Sequence, residues 1–177
     1  MYTKLARGFG ELVSVGLLDE APIRYVGGQA AGCGPIANAF EAGEEAVRPV
    51  ERPDTIVRSL AIGSPADGGY SVKLARQSGG AILRVPDDAT IAAIRLLAES
   101  EGIFTETAGG VTLAALRRAI DEGHVRRDEE VVLVITGNGL KTLDVLADDL
   151  ETMPEPIPPT FDAFEAWWAT QVTSPAA

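Results

Sequence analysis

The stretch AILRVPDDATIAAIRLLAES, residues 81–100, contains a complete strand-to-helix unit. The short apolar run 81–85 is bounded by turn residues, which is typical of a buried strand. Asp87 or Asp88 can cap a helix that follows, because aspartate is preferred at a helix start. The next apolar residues recur at helical spacing and share one face: Ile91, Ile94, Leu97 and Ala98. The sequence therefore predicts a strand at 81–85 and a helix from about residue 87.

The same alternation of short apolar runs and amphipathic segments extends along most of the chain. Two further strands are predicted, at residues 23–29 and 131–135. The predicted helices cover approximately residues 1–17, 35–43, 70–77 and 87–98, and a further helix follows Thr107 and ends at Gly123. Strands that alternate with helices indicate the α/β class, with a mainly parallel open sheet and helices on both faces. Ligands of such sheets bind beyond the carboxyl ends of the strands, where the sequence places Gln29 and Thr136.

The chain changes character after Asp148. Residues 1–148 carry the strand and helix pattern, whereas residues 149–177 begin with the acidic, proline-rich stretch ETMPEPIPPT. Such a stretch is typical of an extended linker. The residues after it, FDAFEAWWATQ, contain aromatic side chains at helical spacing and predict a short terminal helix. We expect this segment to pack on the main body or on a second subunit.

Charge and composition exclude several classes of partner. The formal net charge of −11 argues against nucleic acid and against an anionic membrane surface, since both require clustered basic residues. No apolar run approaches the roughly 18 residues that a membrane span requires. Cys33 is the single cysteine, so no intramolecular disulfide or CxxC metal site is expected. A cytoplasmic protein fits these features best.

Two short motifs have both a chemical and a structural interpretation. Residues 32–37, GCGPIA, match the GxGxxA pattern of dinucleotide sites, but the segment VERPD lies where the accompanying acidic strand end should be. A tight turn is the alternative. Cys33 is a candidate nucleophile at a helix start or a small buried side chain. The lone histidine, His124, follows a glycine that ends a predicted helix and fits a surface position.

The segment TETAGG, residues 105–110, precedes the last predicted helix of the main body. A threonine there can cap the helix. Capping does not explain Gly109 and Gly110, because glycine lowers helix stability. We therefore expect a second element or a flat ligand to pack closely against these two glycines.

Four segments taken together resemble the carboxyl-terminal part of threonine synthase. They are GGQAAGCGPIANAF, DTIVRSLAIGSPADGGY, EGIFTETAGGVTLAAL and VVLVITGNGLKTLD, and they occur in this order. The resemblance runs from Met1 to about Ala147. It implies a fold-type II enzyme that uses pyridoxal 5′-phosphate as its cofactor. That family converts O-phosphohomoserine, a phosphorylated amino acid, and water into threonine and phosphate.

The resemblance assigns roles around the last predicted strand. Thr136 matches the hydroxyl partner of the cofactor's pyridine nitrogen. Gly137 and Asn138 follow it in the same motif and are assigned to the cofactor site. A neutral threonine would not hold the ring nitrogen protonated as a carboxylate would.

Further cofactor-binding residues come from two other segments. Glu106 and Thr107 match the segment that lines the face of the cofactor, and Gln29 matches a strand end near the same cleft. Ser64 departs from the asparagine expected in its motif.

The resemblance also implies residues that these 177 do not contain. The Schiff-base lysine and the glycine-rich phosphate loop of the family lie upstream of the matched region. Lys4, Lys73 and Lys141 do not match the lysine motif. No catalytic residue is therefore assigned in this chain, and we expect it to be inactive alone. The expected partner is the missing amino-terminal half or a complementary chain, and a homo-oligomer remains open.

Two alternatives to threonine synthase remain open from the sequence. Another fold-type II lyase, such as a dehydratase or cysteate synthase, would share the same motifs. A non-catalytic module, either a split partner or a small-molecule sensor, would use the same cleft without the reaction.

Overall fold

The computed structural model describes residues 1–147 and 156–172. The chain divides into two compact units, Met1–Leu146 and Ala147–Ala177. Residues 151–155 of the predicted linker lie outside the described part. The second unit contains helix α6, Phe161–Val172, at the place where the aromatic segment predicts one.

The first unit alternates helices with strands, as the sequence predicts. In chain order its elements are α1 (Tyr2–Ser14), β1 (Val26–Ala30), α2 (Pro35–Glu41), α3 (Gly68–Gln77), β2 (Ala81–Val85), α4 (Asp87–Glu101) and α5 (Thr107–Asp121). A 3-10 segment, Gly139–Leu146, follows and is interrupted at Thr142. Among the described residues no helix is long and apolar enough to span a membrane.

The two strands form a parallel pair with helices on both faces. Val26 lies opposite Ala81, and the register continues to Ala30 opposite Val85. Alternate side chains of a strand point to opposite faces of the sheet. Leu83 accordingly packs with residues of α5, whereas Ile82 packs with residues of α2 and α3. The α/β class with helices on both faces is thereby confirmed.

Helices α4 and α5 pack closely next to the sheet. The shared core consists of small and medium apolar side chains: Ala30, Val57, Val85, Ala93, Val111, Ala114 and Ala115. Gly110 lies where the two helices meet, and a Cβ atom there would be 2.7 Å from the Thr90 carbonyl oxygen. This glycine therefore permits the helix–helix contact. The close packing expected against Gly110 is thus made by α4.

Asp87 joins α4 to a segment whose structure the sequence does not specify. Its carboxylate accepts a hydrogen bond from the Thr55 hydroxyl at 2.6 Å and one from the Ile56 amide at 3.0 Å. These bonds place Val57 in the core, where it is fully buried. Asp87 thus acts between segments, and Pro86, rather than either aspartate, occupies the N-cap position of α4.

The strand predicted at residues 131–135 is wrong. These residues belong to no strand, and the side chain of Val132 is 86% exposed. An apolar run favours burial, but a strand also requires a neighbour that pairs with its backbone N–H and C=O groups. In the described part of the chain β1 and β2 pair with each other alone, so the run has no such neighbour.

Two glycine-to-alanine substitutions test the packing of α4 against α5. Gly110→Ala places a methyl group 2.7 Å from both the Thr90 carbonyl oxygen and a side-chain carbon of Ile94. Overpacking of this kind costs ~1–3 kcal/mol, against a gain in helix propensity of ~1 kcal/mol. We expect a net loss of unfolding free energy of about 1–2 kcal/mol in urea denaturation.

Gly8→Ala is the matched control, because a Cβ atom at Gly8 of α1 meets nothing within 4 Å. There the helix propensity acts alone, and a gain of up to ~1 kcal/mol is expected. Equal gains in the two variants would show that α4 and α5 do not approach each other as described.

Candidate functional site

Two loops meet in a short antiparallel bridge at the start of α5. Thr105 pairs with Asn138. The Glu106 amide donates to the Gly137 carbonyl at 3.1 Å, and the Gly139 amide donates to the Phe104 carbonyl at 3.1 Å. These two hydrogen bonds hold residues 137–139 against residues 104–106.

Side-chain hydrogen bonds extend the bridge in both directions. The Thr105 hydroxyl donates to the Gly137 carbonyl at 3.1 Å. The Thr107 amide, at the first position of α5, donates to the Thr142 hydroxyl at 3.1 Å. The start of α5 is thus attached to the 3-10 segment that follows the glycines.

The bridge explains why glycines occupy positions 137 and 139. A Cβ atom at Gly137 would lie 2.0 Å from the carboxylate oxygen Oε1 of Glu106, and one at Gly139 would lie 2.5 Å from the ring of Phe104. Real Cβ atoms do not approach other atoms so closely. Both glycines are therefore required by side chains of the opposite segment.

Gly109 completes the packing around the bridge. A Cβ atom at this position would lie 1.9 Å from the Thr105 hydroxyl oxygen. The close packing predicted for Gly109 and Gly110 is present, and in both cases the neighbours are other residues of this chain.

The bridge carries an ion pair between a buried carboxylate and an exposed lysine, which the sequence did not indicate. The side chain of Glu106 is 7% exposed, and its Oε2 lies 2.6 Å from Nζ of Lys141, whose side chain is 63% exposed. Lys141 does not match the lysine motif of the family, so its sequence context predicts no role for it. Its place just after TGNG was the available signal, since the 3-10 turn brings it back over Glu106.

Two hydroxyl groups at the site have no hydrogen-bond partner in the described part of the chain. Thr107 is fully buried, and its Oγ1 atom is unpartnered. Thr136 is exposed next to Gly137. The Asn138 side chain accepts a hydrogen bond from the Leu140 amide at 2.9 Å and so stabilises the turn into the 3-10 segment.

The structure therefore brings most of the predicted site residues to one place. Glu106, Thr107, Gly137 and Asn138 meet at the bridge, and Thr136 adjoins it in the chain. They combine a buried, neutralised carboxylate with free hydroxyl groups, an arrangement that can offer hydrogen bonds to a polar ligand.

Gln29 has a different set of contacts. Its side-chain oxygen accepts hydrogen bonds from the amides of Ile36 at 2.9 Å and Ala37 at 3.0 Å. These amides belong to the first turn of α2, whose N–H groups lack partners within the helix. Gln29 lies at the carboxyl end of β1 as predicted, and in the described residues it makes no hydrogen bond to the other predicted site residues.

The glycine turn at residues 32–34 has a packing explanation. A Cβ atom at Gly32 would lie 1.6 Å from the Asp54 carbonyl oxygen. Cys33 is fully buried, and burial raises the pKa of its thiol, which disfavours the nucleophilic thiolate. His124 lies at the surface, 3.6 Å from a carboxylate oxygen of Glu122.

Comparison with known proteins places the chain in a family. The family described as pyridoxal-phosphate dependent enzyme matches residues 1–137. Threonine synthase of Mycobacterium bovis is 40% identical over 154 residues, which are 86% of this chain and 40% of that protein. Threonine synthase of Methanocaldococcus jannaschii is 37% identical over 138 residues, 78% of this chain and 34% of that protein. The chain thus spans about 40% or less of the length of these relatives.

Solved structures support the fold independently. A fungal L-serine ammonia-lyase from Rhizomucor miehei superimposes with a TM-score of 0.59 at 21% identity, over 78% of this chain and 45% of that chain. Maize serine racemase gives a TM-score of 0.55 at 19% identity, over 77% and 39%. The resemblance to threonine synthase seen in the sequence is confirmed by the curated relatives. The chain belongs to the family of pyridoxal-phosphate dependent enzymes.

Proposed function

We propose that this chain is the carboxyl-terminal part of the large domain of a threonine synthase, which converts O-phosphohomoserine and water into threonine and phosphate. The observation that carries the proposal is the bridge between residues 104–106 and 137–139, which gathers most of the predicted cofactor-binding residues around the buried carboxylate of Glu106. The 40% identity over 86% of the chain favours this member of the family.

The residues present fit pyridoxal phosphate. A buried hydroxyl without a partner, as at Thr107, costs free energy unless something satisfies it. The exposed Thr136 offers a second hydroxyl at the same place. Both are neutral groups able to donate or accept hydrogen bonds, and a cofactor with a ring nitrogen and a phenolic oxygen needs such groups.

The proposed roles follow from the chemistry of each side chain. When bound, pyridoxal phosphate supplies an electron sink for the substrate carbons. The Thr136 hydroxyl binds the ring nitrogen without the charge that would hold it protonated. Gly137 and Asn138 position Thr136 through the bridge. Glu106 and Thr107 line the face of the cofactor, and no proton-transfer step is assigned to them.

The covalent attachment requires a lysine with a free amino group. The Lys141 amino group is engaged with Glu106 at 2.6 Å, which supports the expectation that the attachment lysine lies outside these residues. The family's phosphate loop is expected there too. The chain alone is then inactive, and its partner is the remainder of the enzyme.

Exposed apolar side chains support such a partner. Val131 and Val132 are exposed at the run where a strand was predicted. Leu12 and Val15 are exposed in and just after α1. Exposed apolar side chains that occur in groups are typical of a contact site. We infer that the rest of the enzyme covers it and supplies a strand neighbour to residues 131–135.

Cofactor binding is testable on the chain itself. Pyridoxine 5′-phosphate is the suitable probe, because it lacks the aldehyde and cannot react with surface lysines. In a ¹⁵N-labelled sample we expect its amide shifts to concentrate at residues 106–107 and 136–138. Thr136→Val removes one hydrogen bond of ~1 kcal/mol and should weaken binding roughly fivefold, whereas Thr136→Ser should retain it.

Inorganic phosphate is the control ligand for that titration. Shifts reproduced by phosphate alone, or an unchanged affinity of the Thr136→Val variant, would contradict the assignment of Thr136 to the ring nitrogen.

Phosphate release from O-phosphohomoserine tests the activity. We expect none from the 177-residue chain alone. Co-expression with the unmatched portion of the mycobacterial relative should restore release, since it brings the lysine and the phosphate loop. Robust threonine formation by the chain alone would refute its dependence on a partner. A folded complex that binds the cofactor but releases no phosphate from O-phosphohomoserine would refute the proposed threonine synthase reaction.

A further inference from the structure

We propose that Lys141 is a positioning residue whose ammonium group holds the Glu106 carboxylate against Gly137, and that it thereby fixes the backbone that carries Thr136. The consequence for cofactor binding rests on the proposed function. The structural coupling between Lys141, Glu106 and Gly137 does not.

The first step of the argument is the burial of a charge. The Glu106 side chain is 7% exposed, and an ionised carboxylate in such a place requires a compensating partner. Lys141 supplies it at 2.6 Å. The Lys141 side chain remains largely in solvent, so its ammonium group does not incur the desolvation cost that burial imposes on the Glu106 carboxylate.

The second step concerns the other carboxylate oxygen. A Cβ atom at position 137 would lie 2.0 Å from Oε1 of Glu106, so this oxygen occupies space that only a glycine leaves free. The carboxylate therefore has Gly137 at one oxygen and Lys141 at the other. A displaced carboxylate would leave a gap beside Gly137.

The third step is the connection to the backbone. The Gly137 carbonyl accepts hydrogen bonds from the Glu106 amide and the Thr105 hydroxyl, both at 3.1 Å. The Lys141 amide donates to the Asn138 carbonyl at 3.2 Å. The segment 137–141 thus contacts Glu106 at both of its ends. The Gly137 carbonyl binds the Glu106 amide, and the Lys141 side chain binds the Glu106 carboxylate.

The fourth step is that the bridge contains the backbone hydrogen bonds closest to Thr136 in the described part of the chain. The preceding run, residues 131–135, has no strand partner there. The bridge that Lys141 closes is consequently the contact that acts most directly on the position of Thr136. The lysine acts through Glu106 and Gly137, without contact with Thr136 in the described hydrogen bonds and ion pairs.

Amide hydrogen exchange of the 177-residue chain tests the coupling directly. The reporters are the amides of Glu106 and Gly139, which donate across the bridge. Lys141→Met should increase their exchange about tenfold or more, because the opening free energy of the bridge falls. The amides of β1 and β2 should not change. Lys141→Arg keeps the charge and should restore most of the protection.

The control variant is Lys73→Met on α3, which removes a lysine at an exposed position and should leave both reporters unchanged. A double-mutant cycle with Glu106→Gln completes the test. If Lys141 acts through the carboxylate, Lys141→Met adds little once Glu106 is neutral. Unchanged reporters in the Lys141→Met variant, or an equal increase in the Glu106→Gln background, would overturn the proposal.

A pyridoxine 5′-phosphate titration separates this proposal from the proposed function. If Lys141 positions Thr136, Lys141→Met weakens binding, Lys141→Arg recovers it, and the loss is not additive with that of Thr136→Val. If the unsubstituted chain shows no site-specific binding, the proposed function fails while the exchange result still decides the coupling. Exchange coupling with cofactor affinity unaffected by Lys141→Met would overturn the positioning role.

Discussion

The antiparallel bridge between residues 104–106 and 137–139 is the contact on which the arrangement of the site depends. The parallel sheet in the described part of the chain has β1 and β2 alone, and the described residues after α5 form no strand. Without the bridge, the hydrogen bond from the Thr107 amide to Thr142 would remain, but residues 137–139 would lose their pairing with residues 104–106. Two backbone hydrogen bonds therefore position residues 137–139, as pairing with a neighbouring strand positions β1 and β2.

The bridge constrains side chains as well as backbone. Each large side chain of one segment faces a glycine of the other: Phe104 faces Gly139, and Glu106 faces Gly137. Such pairs satisfy a constraint between positions that are distant in sequence. The glycines of TGNG look like a turn when only their neighbours in sequence are considered. Their actual requirement is the volume of two side chains that precede α5.

This distinction explains what the sequence could and could not predict. The strand at residues 81–85 and helix α4 follow from local patterns, and both form as predicted. The run 131–135 has the same local pattern, yet a strand also needs a neighbour, which no local pattern supplies. Gln29 was correctly placed at a strand end, but only the structure shows that the first turn of α2 takes its side-chain oxygen. Lys141 was missed for a related reason, since its partner belongs to another segment.

The charges at the site form a consistent arrangement. A carboxylate facing a pyridine nitrogen would hold it protonated, so a buried Glu106 beside a neutral Thr136 at first looks contradictory. Lys141 resolves this, because its ammonium group offsets the negative charge at 2.6 Å. The carboxylate can then remain buried against Gly137 with its charge compensated. A buried acid and a neutral hydroxyl can occupy adjacent places because a lysine from the following turn compensates the acid.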